Sequence, residues 1–334
     1  MSPLLLNTLQ FLGGFALLLG GAEFLVRGAS RLALRLNISP VVIGLTVVAF
    51  GTSLPELLVS LIANLQGDQT AQLAIGNVVG SNIANLGLIL GVVSVLSPMP
   101  VERQLLYREY PIMLAVSLVF WGMAWDGTIS RLEGGLLTAG ILAFTAYSYV
   151  TVRELPPEEQ LEAVEFTEEV LDVEKDGTPL GILRNLVLVL IGIVALVTGS
   201  NWLVDSAQFI ARHFGVSELI IGLSLVALGT SLPELATSAV AAVRKEEDIA
   251  IGNLVGSNLF NMLAIVGIVA LVKPLPAPLT MRTLDFPVMM VVAVLPLLLV
   301  LPRPHVMRRW NGAVMLAIYL GYNWWIYNAG RLPG

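Results

Sequence analysis

The stretch "VAFGTSLPELLVS", residues 48–60, returns as "VALGTSLPELATS" at residues 226–238. Both stretches are apolar enough for a membrane segment, yet each carries hydroxyls, a proline and a glutamate. An ionised carboxylate near the middle of a span costs about 2.5–3.5 kcal/mol on insertion scales. Glu56 and, 178 positions later, Glu234 bear that cost in the same setting, so the carboxylates are read as functional rather than interfacial.

The repetition extends outward from these two stretches. Residues 43–57, "IGLTVVAFGTSLPEL", and 221–235, "IGLSLVALGTSLPEL", are identical at 12 of 15 positions. A second block, "AIGNVVGSN" at 74–82, matches "AIGNLVGSN" at 250–258 at 8 of 9, after a connection two residues shorter. The chain is therefore a duplicated half.

Composition says what the halves are made of. Of 334 residues 56% are hydrophobic and 13% charged, with mean hydropathy +0.83, which fits a polytopic membrane protein whose surroundings are the lipid bilayer. The absence of cysteine excludes disulfides, thiolate metal sites and cysteine nucleophiles. Two histidines, His213 and His305, beside charged loop residues, make a histidine metal site unexpected. The first apolar run lacks a basic leader region and reads as a retained span.

At about 20 apolar residues per crossing, ten spans are expected, at 6–26, 40–63, 71–96, 110–125, 132–151, 182–204, 217–242, 248–272, 284–301 and 310–328. The fold class is thus an all-α polytopic membrane protein, ten transmembrane helices in two inverted five-helix repeats. The expected divisions are 1–150, an acidic linker at 151–178, and 179–334. An odd number of spans per copy makes the second copy enter from the opposite side, giving a pseudo-twofold axis in the membrane plane. With Arg184 counted in the connection it adjoins, one side carries 13 Lys and Arg and the other 5. The positive-inside rule then puts both termini outside and the linker, with ten of the 24 acidic residues, in the cytoplasm.

On a helix, Thr52, Ser53 and Glu56 share one face, as do Ser81 and Asn85. Thr230, Ser231 and Glu234, then Ser257 and Asn261, repeat both arrangements. All offer oxygen, the ligand set for a hard cation such as Ca²⁺ or Na⁺. Pro55 and Pro233 lack the N–H that would bond the carbonyls of Gly51 and Gly229, loosening turns that also contain Ala49 and Ala227, whose backbone oxygens could then join the coordination. Gly76, Gly80, Gly252 and Gly256 read as helix-packing positions. Asn77, Asn82, Asn253 and Asn258 are repeated too; interhelical bonding is preferred over coordination for them, with both left open. Glu23, near Arg27, and Asp205 read as interfacial, and the linker acids as a solvated face.

The pairs "GTSLPE" with "GSNIAN" and "GTSLPE" with "GSNLFN" resemble the two alpha-repeats of the sodium/calcium exchangers, prokaryotic type, in the cation/calcium antiporter superfamily. The resemblance implies a central cation site coordinated by Thr52, Ser53, Glu56, Ser81, Asn85, Thr230, Ser231, Glu234, Ser257 and Asn261, with the backbone carbonyls of Ala49 and Ala227. It implies antiport of Na⁺ against Ca²⁺ by alternating access in the cell membrane, with the two long spans 1 and 6 sliding against the other eight. No cofactor, enzymatic activity or nucleic-acid partner is implied. Ca²⁺/H⁺ exchange and K⁺-dependent Na⁺/Ca²⁺ exchange are the alternatives; some relatives, including potassium-dependent ones, carry aspartate where this chain has Asn261. A passive cation channel and an intramembrane aspartyl protease are the readings from other classes, the second disfavoured because both acids here are glutamates.

Overall fold

The computed structural model describes residues 3–36, 39–66, 68–152, 179–213 and 229–329. These residues are overwhelmingly helical. In chain order the helices are α1 (Pro3–Leu36), α2 (Pro40–Thr52), α3 (Leu54–Leu65), α4 (Ala71–Leu96), α5 (Tyr110–Met123) and α6 (Arg131–Val152). There follow α7 (Pro179–His213), α8 (Leu232–Val243), α9 (Glu247–Val272), α10 (Met281–Val300) and α11 (Arg309–Ala329). Five, α1, α4, α7, α9 and α10, contain stretches long and apolar enough to cross a membrane, and the bent pair α2–α3 makes a sixth. The chain is a multi-pass membrane protein.

The breaks follow local chemistry. Pro40 opens α2 at a position where its missing N–H costs nothing. Pro55 makes the α2–α3 pair bend by 45° at Ser53, the kink expected of a proline inside a span. At α6, Ser130 and Glu133 form a capping box: the Ser130 amide donates to Glu133 Oε2 at 2.8 Å, and the Glu133 amide to Ser130 Oγ at 3.3 Å.

Three features differ from the sequence expectation. Helices α1 and α7 run 34 and 35 residues, past the spans 6–26 and 182–204. At 1.5 Å per residue each is about 50 Å long, against a hydrocarbon core of roughly 30 Å. Secondly, π-helical turns interrupt several helices, at Gly44–Val48, Asn85–Ile89, Leu105–Glu109, Phe260–Ile265 and Met281–Asp285. Thirdly, four two-residue strands join the helices: β1 (Met99–Pro100), β2 (Thr128–Ile129), β3 (Leu275–Pro276) and β4 (Val306–Met307). Two of them, β1 and β3, lie in the proline-rich connections "SPMP" and "KPLPAP", which favour extended backbone. The span expected at 217–242 is described from residue 229 onward, and linker residues 153–178 lie outside the described residues.

The chain packs as two compact units, each drawing segments from both repeats. The first comprises Met1–Pro55 and Thr138–Phe260. Within it α1 and α7 lie backbone to backbone through glycines: a Cβ on Gly14 would stand 2.8 Å from the Gly199 carbonyl oxygen, and one on Gly192 2.8 Å from that of Gly21. Gly14 and Gly21 are the repeat counterparts of Gly192 and Gly199, so the contact is reciprocal, as a twofold relation requires. Gly252 and Gly256 on α9 likewise admit the α2 backbone, with Cβ positions 2.9 Å from the Val41 oxygen and 2.6 Å from that of Leu45. The helix-packing reading of these two glycines is thereby seen directly.

The second unit comprises Glu56–Leu137 and Asn261–Gly334. Here β1 pairs antiparallel with β4, and β2 with β3. In the duplication β3 is the counterpart of β1 and β4 of β2, so exchanging the repeats leaves the pairing unchanged. The closest glycine contacts obey the same rule: Gly91 meets the Gly312 oxygen, and Gly134 that of Gly267.

Candidate cation site

In the first unit the two motif copies meet around one carboxylate. Glu234 stands in the first turn of α8 and is 1% exposed. Its Oε1 accepts from Ser53 Oγ, contributed by the first copy, at 3.0 Å and from Ser257 Oγ at 3.4 Å. Its Oε2 has no hydrogen-bond partner among the described residues. A buried carboxylate oxygen left in that state costs free energy unless something positive faces it, so this orphaned oxygen fits a cation ligand.

Thr52 lies beside this carboxylate group, fully buried. Its Oγ1 is 3.1 Å from Asn253 Oδ1, 3.3 Å from the Ala49 carbonyl oxygen and 3.4 Å from Ser257 Oγ. The Ala49 oxygen also accepts the Ser53 amide at 3.1 Å, a regular i→i−4 helical bond. Five expected ligand positions, Ala49, Thr52, Ser53, Glu234 and Ser257, are thus assembled in one place. Thr230 is partly and Ser231 fully buried in the same unit. Ala227 lies outside the described residues. The carbonyl of Gly229, freed by Pro233, accepts the Ser200 hydroxyl at 2.7 Å.

In the second unit Glu56, Ser81, Asn85 and Asn261 are all buried. Asn85 opens one π-turn and Asn261 lies in its counterpart; such turns interrupt the regular i→i+4 ladder and are frequent at functional sites. Asn261 Nδ2 donates to Asn82 Oδ1 at 3.0 Å, which orients the Asn261 amide, and Asn261 Oδ1 has no hydrogen-bond partner among the described residues.

Among the described residues no three His, Asp or Glu gather as a metal cluster. Within the first unit Glu234 is met by the hydroxyls of Ser53 and Ser257, oxygen donors suited to a hard cation.

Two residues that carry part of this arrangement escaped the sequence reading, Ser60 and Ser238. Each accepts a hydrogen bond from the asparagine of the second motif at 3.0 Å, Asn77 and Asn253 respectively. The signal was present, because both stretches quoted at the outset end on serine four residues after the glutamate. Glu23 forms ion pairs with Arg27 and Arg244; Asp205 is exposed.

A Methanosarcina acetivorans protein named sodium/calcium exchanger MaX1 is 33% identical over 342 residues, covering 95% of this chain and 97% of its own. The Escherichia coli inner membrane protein YrbG is 39% identical over 272 residues, 81% of each chain. A solved structure of the sodium-calcium exchanger NCX_Mj soaked with Na⁺ and Sr²⁺ superposes with TM-score 0.80 at 30% identity, covering 100% of both chains. The family model described as sodium/calcium exchanger protein matches residues 6–150 and again 184–328, the same 178-residue offset that relates Glu56 to Glu234. With one model matching each repeat in turn, this chain belongs to the sodium/calcium exchanger family.

Proposed function

We propose that the protein is a secondary antiporter that exchanges Na⁺ for Ca²⁺ across the cell membrane, by alternating access of one cation site. In this reading the chain forms ten transmembrane helices in two inverted repeats, both termini outside. The observation that carries it is the bond from Ser53 of the first copy to Glu234 of the second: the duplicated motifs serve one carboxylate. The reciprocal glycine contacts and strand pairings support the inverted repeat. The family comprises transporters, not enzymes.

The proposed ligands are the side chains of Thr52, Ser53, Glu56, Ser81, Asn85, Thr230, Ser231, Glu234, Ser257 and Asn261, and the carbonyls of Ala49 and Ala227. One Ca²⁺, or two or more Na⁺, neutralises the two carboxylates. Competition for the same oxygens then couples the fluxes, since a ligand shifts a conformational equilibrium only through differential affinity for its states. Structures of the relative NCX_Mj soaked with Na⁺ and Ca²⁺ support these ions as the cargo.

The test is Na⁺-gradient-driven ⁴⁵Ca²⁺ uptake into proteoliposomes containing the purified protein. Uptake should follow the imposed Na⁺ gradient and reverse with it. Ca²⁺ flux indifferent to that gradient would favour a channel or a proton-coupled exchanger.

A further inference from the structure

A hydroxyl binds a cation through its lone pairs, so its proton must be directed elsewhere. Around Thr52 the hydrogen bonds form a chain whose direction is set by backbone. The Ala250 carbonyl can only accept, so Ser238 Oγ, 3.4 Å away, donates to it. Ser238 then has lone pairs to offer Asn253, which must turn its Nδ2 toward that oxygen, at 3.0 Å. The Asn253 Oδ1 is left facing Thr52 Oγ1 at 3.1 Å, and an amide oxygen only accepts. Thr52 has one proton and two neighbours that only accept, Asn253 Oδ1 at 3.1 Å and the Ala49 carbonyl at 3.3 Å. The shorter contact directs the proton to Asn253, Ser257 directs its own to Glu234, and the Thr52 lone pairs remain for an ion.

Each member of this chain is buried, where a polar group that lost its partner would be costly. The first repeat holds its own copy in the other packing unit. There Ser60 Oγ is 3.4 Å from the Ala74 oxygen and Asn77 Nδ2 is 3.0 Å from Ser60 Oγ, the same two separations.

We propose that Ser238 and Asn253 are positioning residues that hold the Thr52 hydroxyl in its cation-accepting orientation, without touching the ion themselves. This rests on the reading of Thr52 as a cation ligand. It assigns the repeated asparagine of the second motif to orientation rather than coordination, and gives a role to the serine that closes the first.

The test is Ca²⁺ titration calorimetry, without Na⁺, on the detergent-solubilised full-length protein and four variants: Ser238→Ala, Ser238→Thr, Thr52→Val, and Ser238→Ala combined with Thr52→Val. Losing one oriented hydrogen bond should weaken Ca²⁺ binding about 3- to 10-fold in Ser238→Ala, and Ser238→Thr, which keeps the hydroxyl, should restore it. Because Ser238 acts through Thr52, the double variant should bind no more weakly than Thr52→Val alone. Weakened binding in Thr52→Val with wild-type binding in Ser238→Ala, or additive losses in the double variant, would overturn the relay and leave Thr52 a ligand. Wild-type binding by Thr52→Val would instead overturn the ligand reading, and the relay with it. Should Ser238→Ala not fold, Asn253→Ser in the same cycle reads the same coupling.

Discussion

Ser53 donates its hydroxyl hydrogen to Glu234 across 3.0 Å, although 181 residues separate them in the chain. Each comes from a different copy of the same six-residue motif, and each is buried. Glu56→Gln and Glu234→Gln should therefore each reduce Na⁺-driven Ca²⁺ uptake to background, by removing charge with little change of shape. Neither should lower the yield of folded protein, because deleting an intramembrane charge removes an insertion cost of about 2.5–3.5 kcal/mol. Wild-type uptake in either variant would refute the proposed ligands.

Asn261→Asp tests cation preference. The amide nitrogen that Asn82 Oδ1 accepts becomes an oxygen, so Asn82 must reverse its own amide and give up its contact with Met289 Sδ, 3.8 Å away. The expected outcome is a change in the relative inhibition of ⁴⁵Ca²⁺ uptake by Na⁺ and K⁺, with expression near the wild-type level. An unchanged inhibition profile would show that this position does not set ion preference.

The α1–α7 contact gives a packing prediction. A Cβ at position 192 would lie 2.6 Å from the Leu25 amide nitrogen and 2.8 Å from the Gly21 oxygen. Backbone cannot yield as a side chain can, so Gly192→Ala should destabilise by about 1–3 kcal/mol, the range for overpacking. Gly20→Ala, with no atom within 4 Å of the new Cβ, should leave stability unchanged or raise it by up to about 1 kcal/mol through helix propensity. Thermal unfolding in detergent compares the two.

Glu246, in the turn between α8 and α9, supplies a pH prediction. Burial pushes its carboxyl above the ordinary value of 4.5, and Asp248 and Glu247 add to this; the Arg244 charge opposes it. A raised folded-state value favours the protonated form, so its contribution is fully present below the unfolded value and is lost as pH rises through the folded one. Glu246→Gln should accordingly raise the unfolding temperature at pH 7 and leave it unchanged at about pH 4. An equal gain at both pH values would show that charge at Glu246 is not the cause.

The sequence by itself determined that the chain is a membrane protein, that it is duplicated at an offset of 178, and which oxygens are unusual. Each of these is a local or periodic property: hydropathy is summed over a window, and identity is read position by position. Glu56 and Glu234 were legible because a carboxylate in an apolar run is costly wherever the rest of the chain lies. Tertiary structure decided which of the repeated polar residues meet. The sequence put Asn261 among the ligands and preferred interhelical bonding for Asn253, but only the structure shows that Asn253 Oδ1 is occupied by Thr52 and that Asn261 is oriented through its Nδ2 by Asn82. The π-turns at Asn85 and Asn261 were likewise invisible, and the extra length of α1 and α7 was implied only by the family resemblance, not by hydropathy. A π-turn differs from an α-turn only in which carbonyl the amide meets, and a helix end past the apolar run is held by packing rather than hydropathy. Hydrogen bonds act over about 3 Å, so the polarity of a buried network depends on neighbours that chain order does not reveal.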